Sequence, residues 1–297
     1  MNNKKLFPYL ELFIGLFFIS SSGPLGRFID CPPEISIWSR CFIAGLFMLI
    51  VNKLTGITYQ IYLRKHWKTF LISSVFIATH WVTYFYSLQY SSVAIGMLTL
   101  FTFPVITSFL EPLYFRTKFN LHQIFLGILV IFGLYFLLPE GEYPPSLVIG
   151  IGFGLVSALV FSIRNIMVKS LSYHYSGQLI MTIQILISLV ILTPFLFTLP
   201  TSGIVHFWPY LLILGIITTA VGHTLFARAF SIFSATTTSI FGGLQPVCGI
   251  LLGALFLSEI PSSRTILGGL IILSTVFIEV YLVLKKSPSL NNIKTTK

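Results

Sequence analysis

Apolar runs long enough to cross a bilayer recur from one end of this 297-residue chain to the other. A helix of about 20 apolar residues spans the roughly 30 Å of hydrocarbon in a membrane. Inside that hydrocarbon the backbone has no water to bond, so helices and closed barrels are the only spanning structures. The runs here are continuous rather than alternating apolar and polar, which argues against a barrel. Only 9% of the residues are charged and 55% are hydrophobic, whereas a soluble domain carries about a quarter charged residues. The chain therefore reads as an all-α integral membrane protein. Spans are expected near 8–28, 35–52, 67–89, 92–115, 121–139, 147–169, 177–198, 207–230, 234–257 and 264–285. The segment Ser20-Ser21-Ser22-Gly23 is a poor cleavage site, so the first run reads as a helix rather than a signal peptide.

The formal charge is +10, and in a membrane protein the cytoplasmic loops account for such an excess. With the N-terminus inside, the inside set is Lys4, Lys5, Lys53, Arg64, Lys65, Lys68, Arg116, Lys118, Lys169, Arg228, Lys285, Lys286, Lys294 and Lys297, which is 14 of the 18 Lys and Arg residues. Arg27 and Arg264 fall outside, and Arg40 and Arg164 fall within spans. This asymmetry predicts an even number of spans with both termini cytoplasmic. The expected location is the plasma membrane, as a bacterial inner membrane. No nucleic-acid partner is expected. Cys31, Cys41 and Cys248 form no metal or disulfide pattern, and they read as unpaired.

The two halves match at an offset of 142, on which Pro104-Val105 falls on Pro246-Val247, Ser20 on Ser162, Ala78 on Ala220, Ser92 on Ser234 and Gly127 on Gly269. The starts of the second and fourth spans fall on those of the seventh and ninth. Five helices per half is an odd number, so the second half enters from the opposite face. The expected fold is ten transmembrane helices as two inverted five-helix repeats, 8–139 and 147–285, with a basic cytoplasmic tail at 286–297. Inverted repeats are typical of transporters that hold solute near the midplane.

At this point the chain resembles the EamA-like branch of the drug/metabolite transporter superfamily over about 8–285. The residues that carry the resemblance are Arg40 early in the second helix and Tyr86-Ser87-Leu88 with Ser91-Ser92-Val93-Ala94. Ala229-Phe230 with Ser234-Ala235, both Pro-Val pairs, Leu257-Ser258-Glu259, Gly127 and Gly268-Gly269 complete it. The first half departs, with Phe115-Arg116-Thr117 where the family has Leu-Gly-Glu. The resemblance implies a ten-helix fold, a cavity lined by helices one, three, four, six, eight and nine, and export or exchange of small metabolites.

Polar groups at membrane depth are costly, so each one suggests either function or a paired structural role. Arg164, next to Asn165 in the sixth span, reads equally well as a receptor for a substrate anion or as a partner for Glu111 or Glu11. Glu111 is a candidate for proton coupling, although its depth favours an interfacial carboxylate helped by Arg116. His80 and His223 fall at nearly equivalent places; either could bind substrate, His80 could relay a proton, and packing histidines are commoner. Tyr84 and Trp81 could wall a pathway. Thr102 and Gln245 flank the two prolines, where a freed carbonyl can line a cavity. The glycines of Thr238, Gly242, Gln245, Gly249 and Gly253 read mainly as helix packing. The break at Ser20–Pro24 reads as a kink or gate in the first helix.

No phosphate loop, zinc-protease or nucleophile-elbow motif is present, which disfavours a membrane-embedded enzyme, and the lack of large loops disfavours a receptor. The expected function is secondary transport of a small polar metabolite such as an amino acid, carboxylate-bearing if Arg164 grips it. No cofactor is expected. The other expected partner is the lipid bilayer, and a homodimer is left open.

Overall fold

Long apolar helices fill the chain, each started by a local signal that the sequence carries. The computed structural model describes residues 3–56, 63–118, 122–138, 142 and 144–286, and among them every regular element is helical. The helices are α1 (Phe7–Phe28), α2 (Pro33–Leu54), α3 (Leu63–Tyr90), α4 (Val93–Phe115), α5 (His122–Tyr135), α6 (Pro145–Leu171), α7 (Gly177–Phe197), α8 (Ser202–Ala229), α9 (Ala235–Leu257) and α10 (Ser263–Lys286). All except α5 and α10 are long and apolar enough to cross a membrane, eight in number, while the apolar stretches Phe125–Tyr135 and Ser263–Thr275 are shorter. Residues 287–297 of the expected tail, with Lys294 and Lys297, lie outside the described residues.

Proline opens α2 and α6 in the first turn, where its missing N–H costs nothing. Ser92 and Ser176 cap α4 and α7 by accepting from Ile95 N and Leu179 N. The eighth helix begins at Ser202, earlier than the expected 207, and bends at Phe207, which has non-helical φ/ψ two residues before Pro209. Its middle, Leu214–His223, is π-helical.

Three helices are interrupted. A turn at Ser21 divides α1 into a segment ending at Ser20 and a second one, Ser22–Phe28. α4 breaks at Phe101–Thr102 and α9 at Gly242–Gly243, just ahead of Pro104 and Pro246. Each proline thus sits near the start of a new helical segment, where it is tolerated. The Phe103 carbonyl accepts from Ser162 Oγ on α6 at 3.0 Å and from Thr107 Oγ1 at 2.8 Å.

Both α4 and α9 end in a left-handed residue, Arg116 and Ser258, each with φ of 55°. These two are 142 apart, and both occupy the place of glycine in the Leu-Gly-Glu pattern. A side chain there is strained by about 1 kcal/mol relative to glycine. Ser258→Gly is therefore expected to raise the melting temperature of the purified protein by about 2–4 °C; a lower melting temperature would overturn this account of the cap.

The starts of α4 and α9 are held by carboxylates, each supplied from the end or interior of the other helix. Glu259, just after α9, accepts from Val93 N at the start of α4 at 2.8 Å and from Arg27 Nε at 2.8 Å. Glu111, inside α4, accepts from Ala235 N at 2.9 Å and Thr236 N at 2.8 Å, and from Thr236 Oγ1, at the start of α9. Negative charge at a helix start satisfies open N–H groups and complements the helix dipole. The missing Glu at position 117 is thus replaced by Glu111, reaching from within its helix.

α3 packs along α6 and α1 along α8, while α2 meets α7, α4 meets α9 and α5 meets α10. Gly249 and Gly253 of α9 abut Met97 and Val93 of α4, as the packing reading expects. Outward faces stay apolar, with Phe7, Phe17, Leu46, Ile128, Ile131, Leu255 and Tyr281 among the exposed side chains. Such a surface is stable against lipid rather than water.

Candidate functional site

One polar void lies inside this helical packing. It is lined from α1, α3, α4, α6, α8 and α9, the helices that the resemblance implies. Six of its lining residues form three pairs at the repeat offset, namely Ile19 with Phe161, Trp81 with His223, and Phe103 with Gln245. His80, Tyr84, Ser22 and Leu100 complete the wall. Free volume is about 10 Å³, close to the least that admits one water. The site is shut in this conformation.

Its polar groups are buried and incompletely satisfied. Trp81 Nε1 donates to His223 Nε2 at 3.4 Å, so Nδ1 carries the proton of the neutral ring. That Nδ1, like Tyr84 Oη, is buried with no hydrogen-bond partner. A buried polar atom without a partner forfeits about 1–3 kcal/mol, so both atoms have an unmet hydrogen-bonding capacity at the void. His80 is better satisfied. Ser157 Oγ donates to the His80 carbonyl at 3.0 Å, which leaves it to accept from His80 Nδ1 at 2.8 Å. The His80 ring also stacks on Phe161 with centroids 4.1 Å apart.

The structure brings together His80, Tyr84, His223 and Gln245 of the expected residues. The other four stand apart from the void. Thr102 turns its hydroxyl onto Thr99 O at 2.9 Å, closing the break in α4. Glu111 is the cap of α9, with both carboxylate oxygens engaged there. Arg164 is fully buried, but neither Glu111 nor Glu11 is its partner. Glu11 instead pairs with Arg228 at 3.1 Å. Arg164 donates to Gln184 Oε1 from Nε at 3.2 Å and from Nη2 at 2.6 Å, and to Asn165 Oδ1 at 3.1 Å. Gln184 is itself fixed by donating to Ser73 Oγ at 2.8 Å. Asn165 is thus a partner of Arg164 rather than a wall of the void.

Ile19, Leu100, Phe103 and Phe161 escape a search for polar residues, whereas Ser22 falls in the expected break of the first helix. The offset of 142 could have found Phe103, the counterpart of Gln245, whereas Phe161 and Ile19 are counterparts of each other. The counterpart of His223 is Trp81, one residue on from His80.

The EamA-like transporter family model matches the chain twice, over residues 6–138 and 148–281. A pseudopaline exporter, CntI, of Pseudomonas aeruginosa is 22% identical over 244 residues, covering 81% of this chain and 84% of that protein. An uncharacterized transporter of Archaeoglobus fulgidus is 27% identical over 212 residues, covering 71% of this chain and 76% of that one. A solved crystal structure superposes with a TM-score of 0.69 at 13% identity, covering 95% of this chain and 99% of the other, which speaks for the fold alone. With the apolar helices, these likenesses identify a multi-pass membrane transporter, not an enzyme. The chain belongs to the EamA-like transporter family.

Proposed function

We propose that this protein is a secondary transporter that exports or exchanges a small polar metabolite, such as an amino acid, by alternating access to the void. Ten membrane-crossing helices form two inverted five-helix repeats, with both termini on the cytoplasmic side of a bacterial inner membrane. The observation that carries this reading is the shut polar void with its unpartnered Tyr84 Oη and His223 Nδ1. Three features support the repeat. The lining residues pair at the offset, the left-handed caps fall at it, and the helix-packing pairs map onto one another when numbers are shifted by it. A pseudopaline exporter among the relatives supports the outward direction.

The test is efflux from proteoliposomes loaded with a radiolabelled amino-acid mixture. Wild type is expected to release chemically unchanged solute, and Tyr84→Phe and His223→Ala to slow release by about tenfold, the kinetic equivalent of one lost hydrogen bond to a buried group. Equal release from both variants would take the void out of the pathway. Reporter fusions that placed the two chain ends on opposite sides of the membrane would sink the inverted repeat.

A further inference from the structure

Among the described residues two guanidinium groups lie in the core, and they are treated very differently. Arg164 is surrounded by fixed acceptors, Gln184 Oε1 and Asn165 Oδ1, with Met181 Sδ at 2.9 Å from Nη2. Arg40, on α2, is 1% exposed. Its one hydrogen bond runs from Nε to Thr219 Oγ1, and Nη2 is buried with no partner. Among the described residues no Asp or Glu is fully buried, and neither arginine has a carboxylate partner. A buried charge is expected to be paired, so leaving a guanidinium unpaired needs a reason.

The placement of Arg40 supplies one. Its guanidinium carbon lies 4.4 Å from the centroid of the Trp81 ring, and Trp81 is a wall of the void. Thr219, its acceptor, belongs to the π-helical stretch Leu214–His223 that ends in His223 of the same wall. π-helical turns occur frequently at functional sites. The unsatisfied groups around Trp81 are rich in donors, with Arg40 Nη2, His223 Nδ1–H and the Tyr84 hydroxyl all lacking partners.

We propose that Arg40 is the anion receptor of the transport site and that Trp81 is its cover. The solute class is a small molecule bearing an oxyanion, either carboxylate or phosphate. This rests on the transport reading above, and it moves the anion-binding role from Arg164 to Arg40. A void of about 10 Å³ admits no metabolite until a wall moves. Turning the Trp81 indole aside opens the void and uncovers the guanidinium in one motion. A planar fork of donors then meets the oxyanion, the geometry that guanidinium groups bind best.

Two measurements test this. The first needs no ligand. Arg40→Met removes an uncompensated charge and keeps the bulk, so it is expected to melt about 3 °C or more above wild type in detergent, while Arg164→Met melts below it. A melting temperature for Arg40→Met at or below that of wild type means that Arg40 is scaffold and overturns the proposal. The second loads proteoliposomes with a bacterial metabolite extract and identifies the released solutes by mass spectrometry. Wild type is expected to release oxyanion-bearing solutes, carboxylates and phosphates being told apart by mass. Arg40→Met is expected to lose that release by about tenfold or more, and Arg40→Lys to recover part of it. Release of uncharged or cationic solutes, or equal release by Arg40→Met, overturns the Arg40 role while leaving transport intact. No release by wild type overturns the transport reading itself, and the melting comparison still decides the role of Arg40.

Discussion

Gly154→Ala is expected to lower the melting temperature of the purified protein by several degrees, and Gly154→Leu to leave no folded protein. A Cβ at this position of α6 would overlap Thr99 Oγ1, and it would lie 2.7 Å from Thr99 Cβ and 2.9 Å from Ser87 Oγ. Thr99 cannot turn away freely. It is β-branched, and its hydroxyl donates to Ile95 O at 2.8 Å and lies 3.1 Å from Gly96 O. Relief requires α6 to lift off α4 and α3 together, and overpacking of this kind costs about 1–3 kcal/mol for small additions. Gly152, two residues earlier on the same helix, is the control, because a Cβ there meets nothing within 4 Å. Gly152→Ala is expected to hold or raise the melting temperature, since alanine exceeds glycine in a helix by up to about 1 kcal/mol. Thermal unfolding of the two variants side by side decides the matter, and the account fails if Gly154→Ala is the more stable.

The second large effect is expected at Glu111. Glu111→Ala strips the acceptors from Ala235 N, Thr236 N and Thr236 Oγ1, and a hydrogen bond to a charged group contributes about 1.5–3 kcal/mol. A loss on the order of 3 kcal/mol is expected, read as a melting shift and as lower yield of monodisperse protein. Glu111→Gln keeps one acceptor oxygen, so it should fall between. Thr117 stands 142 residues before Glu259, so a carboxylate at 117 would mirror the cap that Glu259 places on α4. Thr117→Glu added to Glu111→Ala is therefore expected to restore much of the loss. Wild-type melting by Glu111→Ala alone would show that the cap is idle.

Much of the fold could be read from the chain, and the reasons are physical. The bounds of α4 and α9 lie within one residue of expectation because serines and glycine-like caps mark their ends. The start of α8 was missed because Thr201-Ser202 and His206-Phe207-Trp208-Pro209 look like a loop, and Pro209 lies beside a bend rather than a helix start. His80, His223 and Gln245 were legible because a polar side chain is expensive at their depth. Arg164 was singled out for the same reason, yet its answer is Gln184, a neutral residue twenty positions away in sequence. Nothing in composition separates a guanidinium met by an amide from one left unpaired, and only their neighbours in the fold distinguish Arg40 from Arg164. Phe103, Phe161 and Ile19 carry no polar signal; pairing across the halves points from Gln245 to Phe103, and nothing in the sequence points to the pair Ile19 and Phe161.

The crossed caps also set an order for biogenesis. Val93 N waits for Glu259, which is 166 residues further along the chain. At roughly 5–20 residues per second of synthesis, that is a delay of about 8–33 s. Through that interval Ser92 caps Ile95 N, but Val93 N lacks its carboxylate and depends on water or on the insertion machinery. The first half therefore cannot reach its final energy when it leaves the ribosome. The start of α4 is completed by a residue that follows α9, so a ribosome that stalls before Glu259 leaves an unfinished first half for quality control to find.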